Sequence, residues 1–245
     1  MRCIPRSVPF VLVLAATTAS AQGINLRWGE CVADGGVRNV SFACNTNTGS
    51  RTMVTSFVLN APLTGAGHVT GVIDVVAADL VLPEWWNYRF CRSGSIRVNS
   101  SAAGPIVCTD FMTGTCSTDG DFTAILPGVP AGNSERLEFT RINCPSASAD
   151  NLLAGVEYLG PVLTINFNRT VGSPSCTGCG TGVCLILTQL HINTPGGGLT
   201  MTSPVLPPDG NVITWQGVGL TPGGVCQAAT PTRQSTWGAV KALYR

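Results

Sequence analysis

Apolar and polar residues alternate with period two along much of this chain. Leu137 and Phe139 stand against Arg136, Glu138 and Thr140; Leu163, Ile165 and Phe167 against Thr164, Asn166 and Asn168; Val183, Leu185 and Leu187 against Thr188 and Gln189. Successive side chains of a strand point to opposite faces, so the alternation predicts strands with one buried side. Thr52 to Leu59, Val69 to Val76, Ser95 to Asn99, Ile106 to Cys108, Phe122 to Leu126, Leu199 to Met201 and Val212 to Trp215 bring the set to about ten short strands. Between them lie Pro62-Leu63-Thr64-Gly65, Pro127-Gly128, Pro195-Gly196-Gly197-Gly198 and Pro207-Pro208-Asp209-Gly210, where proline presets the bend and glycine supplies positive φ. No helical pattern intervenes. The expected fold is all-β, an antiparallel β-sandwich of jelly-roll or immunoglobulin-like type. With no fixed-period repeat and no charged or Ser-rich linker, residues 22–232 read as one domain.

Both ends depart from this pattern. Arg2 and Arg6, the apolar run from Val8 to Ala16 and the small residues Ala19-Ser20-Ala21 read as a secretory signal peptide over residues 1–21. The run is shorter than the roughly 20 apolar residues of a membrane-spanning helix. Later apolar stretches are broken by Asp74, Asp79, Gln189 and His191, so no membrane span is expected in the mature chain. At the other end, residues 233–245 form a short amphipathic segment. Ser235 or Thr236 is positioned to cap a helical turn with Trp237, Val240 and Tyr244 on one face, and Lys241 lies near its C-terminus. A helix so short needs a surface to dock on, which makes Trp237, Val240, Lys241 and Tyr244 docking or sorting candidates, either on the chain's own domain or on a secretion or surface-anchoring component.

Export changes the meaning of the cysteines. Of the 11 cysteines, all but Cys3 follow the expected cleavage point, and an oxidising compartment turns an even set into disulfides. The candidates are Cys31, Cys44, Cys91, Cys108, Cys116, Cys144, Cys176, Cys179, Cys184 and Cys226. Loop spacing favours local staples: Cys31 with Cys44, Cys91 with Cys108, Cys116 with Cys144, Cys179 with Cys184, and Cys176 with Cys226. The Cys176-x-x-Cys179 cluster is also compatible with zinc or redox chemistry, but export and the poor helix formers Gly180, Thr181 and Gly182 favour disulfides. Charged residues make up 11% of the chain, and loss of Arg2 and Arg6 takes the formal net charge from +1 to −1. No nucleic-acid footprint follows from such a balance.

Catalytic signatures are sparse. His68 and His191 each sit in a strand-like run, and the chain has no nucleophile elbow, phosphate-binding loop or zinc-protease helix. A glycosidase needs only paired carboxylates, for which Glu84, Asp110, Asp119 and Asp121 are the available set. Asp119-Gly120-Asp121 resembles a fragment of a calcium loop but lacks the other ligands, so no metal or cofactor is expected. The sharpest binding candidate is Trp85-Trp86-Asn87-Tyr88. Adjacent tryptophans in a strand face opposite ways, so one is expected inside and the other free to stack on a sugar, with Tyr88 beside it.

Asn25-Leu26-Arg27-Trp28 with Cys31, Phe42-Ala43-Cys44, Leu82-Pro83-Glu84-Trp85-Trp86, Cys176-Thr177-Gly178-Cys179 with Cys184, and the ending Trp237-Gly238-Ala239-Val240-Lys241-Ala242-Leu243-Tyr244-Arg245 together resemble a group of secreted bacterial proteins of unknown function. The resemblance implies export and disulfides, and no activity. The expectation is therefore a secreted, extracellular or cell-surface structural or interaction protein, with the periplasm also open. It is not expected to be an enzyme. Glycan binding through Trp85 or Trp86 is the first alternative and a glycoside-acting enzyme the second. A glycan, self-association and an anchoring component are the partners left open.

Overall fold

A computed structural model describes residues 23–99, 108–111, 120–141, 150–202, 210–220 and 226–227. The expected signal peptide, Cys116, Cys144, Asp119 and the segment bearing Trp237, Val240, Lys241 and Tyr244 lie outside the described residues, as does the expected short C-terminal helix. The strands are β1 (Gly23–Trp28), β2 (Asn39–Val40), β3 (Ser50–Val58), β4 (Leu63–Ala66), β5 (Val69–Ala77), β6 (Ile96–Asn99), β7 (Asp121–Pro127), β8 (Ser134–Arg141), β9 (Asp150–Leu152), β10 (Glu157–Asn166), β11 (Val183–Ile192), β12 (Leu199–Thr202), β13 (Val212–Trp215), β14 (Gly219–Leu220) and β15 (Cys226–Gln227).

Two sheets face each other. One runs β1-β3-β10-β6; the other runs β2-β13-β11-β5-β8-β7, with β12 continuing beside β11. Their pairing is antiparallel except for the short β2–β13 contact. The structure is thus a β-sandwich, and the period-two residues do what their alternation predicts: Leu137, Phe139, Leu163, Ile165, Val183, Leu185 and Leu187 all face the interlayer core. One glycine is dictated by a cross-strand neighbour. Gly71 pairs with Phe139, and a Cβ there would press into the Phe139 ring.

Each outer face carries a small satellite core of its own. On the first sheet Val54, Leu159 and Val162 are covered by Cys31 and Cys108; on the second, Ile186, Val212 and Val218 are covered by Cys184 and Cys226. This layering decides the disulfides among the described residues, which are Cys31–Cys108, Cys44–Cys179, Cys91–Cys176 and Cys184–Cys226. The expected local pairs Cys31–Cys44, Cys91–Cys108, Cys179–Cys184 and Cys176–Cys226 are not formed. Cysteines close in sequence sit on different layers, so each takes a partner that the sandwich, and not the local loop, brings near. Neighbouring Cys176 and Cys179 go to two different chain segments, so the Cys176-x-x-Cys179 cluster is held as two separate disulfides.

The Cys91–Cys176 bridge spans 85 residues. Closing a loop of that size restricts the unfolded chain by about 4 kcal/mol in the chain-entropy account. We expect the Cys91→Ser/Cys176→Ser variant, with the other disulfides intact, to lose roughly that much stability in equilibrium chemical denaturation.

Candidate functional site

The most elaborated region is one end of the sandwich, where the connection between β5 and β6 (residues 78–95) folds over the gap between the sheets. It begins with Asp79-Leu80-Val81-Leu82-Pro83, makes a single 3-10 turn at Glu84–Trp86, and continues through Tyr88, Arg89, Phe90, Cys91 and Arg92. Pro83 enters the turn in an extended conformation, φ −62° and ψ 152°, and the turn is held from outside. Trp85 N–H donates to the Thr177 carbonyl at 2.9 Å, and the Glu84 carboxylate accepts from Thr177 N–H at 3.2 Å and Oγ1 at 3.1 Å. Gly178, at φ +92°, lets this loop approach: a Cβ there would collide with the Pro83 ring.

Both tryptophans point inward, and Tyr88 with them; Trp85 and Trp86 are 0% exposed and Tyr88 1%. The expectation of one solvent-facing ring is corrected, because the alternation rule holds for strands and this stretch is a 3-10 turn followed by turns. Trp85 stacks on Trp215 at 5.3 Å between ring centres, and Trp86 meets Trp215 edge-on at 5.5 Å. Trp85 Nε1–H donates to Thr170 Oγ1 at 2.9 Å, and Trp215 Nε1–H to the Cys179 carbonyl at 2.9 Å. No ring face of Trp85, Trp86 or Tyr88 is left for a sugar.

Two buried charged groups complete this cap, and sequence reading missed both. Arg92 is wholly buried, with its guanidinium 3.6 Å over the Trp85 ring. It donates to the Trp85 carbonyl at 3.1 Å and to the Asn166 carbonyl, so its charge is spread over carbonyls and a π face. Glu135 is also wholly buried. It lies on the inward face of β8, in phase with Leu137 and Phe139, and its Oε1 accepts the Tyr88 N–H at 3.0 Å. Burial raises its pKa to about 7, against the opposing pull of the Tyr88 and Arg89 backbone N–H groups and the Arg89 charge. Burial also pushes the Tyr88 phenol above its ordinary range. The period-two phase of β8 held the signal for Glu135, since an inward register through 137 and 139 includes 135 and 141. Arg141, at the other end of that row, is matched by Asp110 at 3.0 Å.

Of the carboxylates expected as catalytic candidates, those among the described residues are engaged in local structure. Asp110 holds Arg141, Glu84 holds the Thr177 loop, and Asp121 Oδ1 accepts the Phe122 N–H at 2.7 Å. Asp121 also lines a groove of about 260 Å³ between β6 and β7, where the other charged lining group among the described residues is Arg97. A second groove of about 380 Å³, lined by Leu59, Asn60 and β12, carries no titratable side chain. His191 bonds Thr200 Oγ1 at 2.6 Å through Nδ1, as a strand histidine with a local partner.

The outer surface of the cap carries three large exposed apolar side chains. Leu80 is 94% exposed, Val81 70% and Phe90 65%. Both halves of the connection are fastened to the β7–β8 hairpin, since Asn133 Nδ2 in its turn donates to the Ala77 and Asp79 carbonyls while Glu135 on β8 receives Tyr88 N–H. Leu80, Val81 and Phe90 therefore belong to one end of the molecule. Asp79, Glu84 and Arg89 are exposed around them.

No family model matches the chain, and no curated protein sequence matches it. One solved structure to which it is similar is a cohesin module from a family 33 glycoside hydrolase of Clostridium perfringens, at 8% identity over 79% of this chain and 93% of that one, with a TM-score of 0.32. A likeness at that level bears on no functional assignment.

Since both tryptophans are core residues, Trp85→Ala or Trp86→Ala should cost about 3 to 5 kcal/mol of folding stability. Thermal unfolding of each variant checks this, and a variant of wild-type stability would return that ring to the surface.

Proposed function

We propose that this chain is an exported, non-enzymatic interaction protein that self-associates through the capped end of its sandwich. The carrying observation is the exposure of Leu80, Val81 and Phe90 on a segment that is otherwise pinned. Large exposed apolar side chains grouped on one end of a disulfide-bonded domain mark an interaction face more often than they mark chance. Rigidity strengthens the reading. The Cys91–Cys176 bridge, the Trp85–Trp215 stack and the Asn133 bonds fix the segment before any partner arrives, so little ordering entropy opposes binding.

A second copy fits this face best. Asp79, Glu84 and Arg89, one of them basic and two acidic, are exposed on the same connection as the apolar residues. In a two-fold contact the acidic part of one copy meets the basic part of the other, and such a surface is self-complementary. The burial of Trp85, Trp86 and Tyr88 speaks against a sugar-stacking role, and the structural tasks of Glu84, Asp110 and Asp121 speak against a glycosidase. Disulfides on both outer faces suit an oxidising location; secretion or display at the cell surface is the finer reading, in keeping with the N-terminal pattern and with the resemblance to secreted bacterial proteins.

Sedimentation equilibrium of the mature chain should show a concentration-dependent dimer, and Leu80→Asp or Phe90→Asp should weaken it at least ~10-fold, which is about 1.4 kcal/mol. A chain that stays monomeric at every concentration, or a dimer indifferent to both substitutions, rejects this face.

A further inference from the structure

The cap holds a titratable group that forms no ion pair among the described residues, the exposed Arg89 being the one cation that pulls on it. Glu135 enters from β8 with Val75 of β5 and Pro127 of β7 as its cross-strand partners. Its Oε1 takes the Tyr88 N–H, while its Oε2 is buried and has no hydrogen-bond partner among the described residues. Four more buried polar atoms of the same cap are also without one among the described residues: Trp86 Nε1, Tyr88 Oη, Arg92 Nε and Ser95 Oγ. Arg92 is committed to the Trp85 ring and to two carbonyls. Arg89 projects to solvent. Of the remaining charges on neighbouring elements, Asp74 of β5 and Arg136 of β8 pair with each other at 2.7 Å, and Glu157 of β10 holds the backbone of Val32 and Ala33.

An ionised carboxylate in that setting is costly unless something moves, whereas a protonated one is not. The span able to move is short. Trp85 is held by Trp215, Arg92 and Thr170, and Cys91 by its disulfide. Between these anchors lie Trp86 to Phe90, which include the Tyr88 contact to Glu135 and the exposed Phe90.

We infer that Glu135 is a proton-controlled latch on this span: protonated, it keeps Trp86 to Phe90 seated on the sandwich end, and ionised, it loosens them and with them the apolar face. Only the consequence for docking rests on the self-association reading, because the latch belongs to a single chain. The direction follows from linkage. A carboxyl whose pKa is raised in the seated state favours that state at low pH, and the advantage is lost as pH rises through the seated-state value.

Amide hydrogen exchange of the intact chain, corrected for intrinsic chemistry, tests this at two conditions of about pH 5.5 and about pH 8. Protection at Tyr88 and Arg89 should fall on the order of 30-fold across that range, as linkage gives for a carboxyl that returns from about 7 to its ordinary value when the span opens. Amides of β3 and β10 should keep their protection. Glu135→Gln retains the acceptor without the charge and should abolish the dependence; Glu135→Met serves as a second uncharged variant should the first fail to fold. Wild-type protection that ignores pH, or a dependence that survives in the uncharged variants, overturns the latch. The two readings separate cleanly: a pH-dependent span in a chain that never dimerises keeps the latch and rejects the dimer, and a dimer whose span ignores pH does the reverse.

Discussion

The stack of Trp85 on Trp215 is the contact on which the capped end depends. A sandwich is open at its ends, and the chain that closes one cannot use ladder hydrogen bonds to satisfy its backbone. Here Trp215, the last residue of β13, extends an indole that touches Trp28, Phe42, Trp85, Trp86 and Phe167. Five segments distant in sequence thereby share one aromatic cluster. Removing that indole would unseat the connection between the sheets, the loop after β2 and the residue that follows β10 together, because none of these lies in a strand.

Polar groups inside the cap are treated unequally, and the inequality has a physical logic. Arg92 keeps its charge because guanidinium is weakly hydrated, planar and able to combine carbonyl bonds with an aromatic face. Arg141 is paired with Asp110 at 3.0 Å. Glu135 has neither remedy. Two backbone N–H groups favour its anion, but burial outweighs them, and the balance sits near neutrality. One sheet face thus carries an ion-paired arginine at one end and a buried acid without an ion pair at the other.

Several of the longer strands were legible because each needed only its own alternation, whereas β1 and the short β2, β4 and β9 were not among those expected. Val212–Trp215 is the expected strand residue for residue, and Ser50–Val58, Val69–Ala77 and Asp121–Pro127 differ from expectation by one or two residues at their ends. Disulfide partners were not legible, because pairing depends on which layer a cysteine covers. Cys44 and Cys179 lie 135 residues apart and meet only once the sheets have stacked. The tryptophan pair misled for a related reason: Pro83 and the turn that follows it take residues 84–86 out of the extended conformation in which neighbouring side chains oppose each other. Arg92 gave no local signal, being one arginine in a turn-rich stretch. Glu135 gave one through its phase on β8, and an acid in an inward register is the kind of local inconsistency that marks a site under some demand other than stability.

The arrangement of the disulfides bears on why the apolar residues can stand outside at all. Two bridges, Cys31–Cys108 and Cys184–Cys226, nail irregular segments onto the outer faces; the other two, Cys44–Cys179 and Cys91–Cys176, converge on the turn at 176–179. That turn supports the connection bearing Leu80, Val81 and Phe90. A loop of that length held only by its own hydrogen bonds would be expected to fold exposed apolar side chains back onto the domain, since burying them is favourable at about 25 cal/mol per Å². Here the inward positions are already filled by Trp85, Trp86 and Tyr88, and the backbone is tied on both sides, so Leu80 and Phe90 have nowhere to retreat. The cost of leaving them in water is then a built-in incentive for contact with another surface, and the acid beneath Tyr88 is placed where it governs how firmly that surface is held.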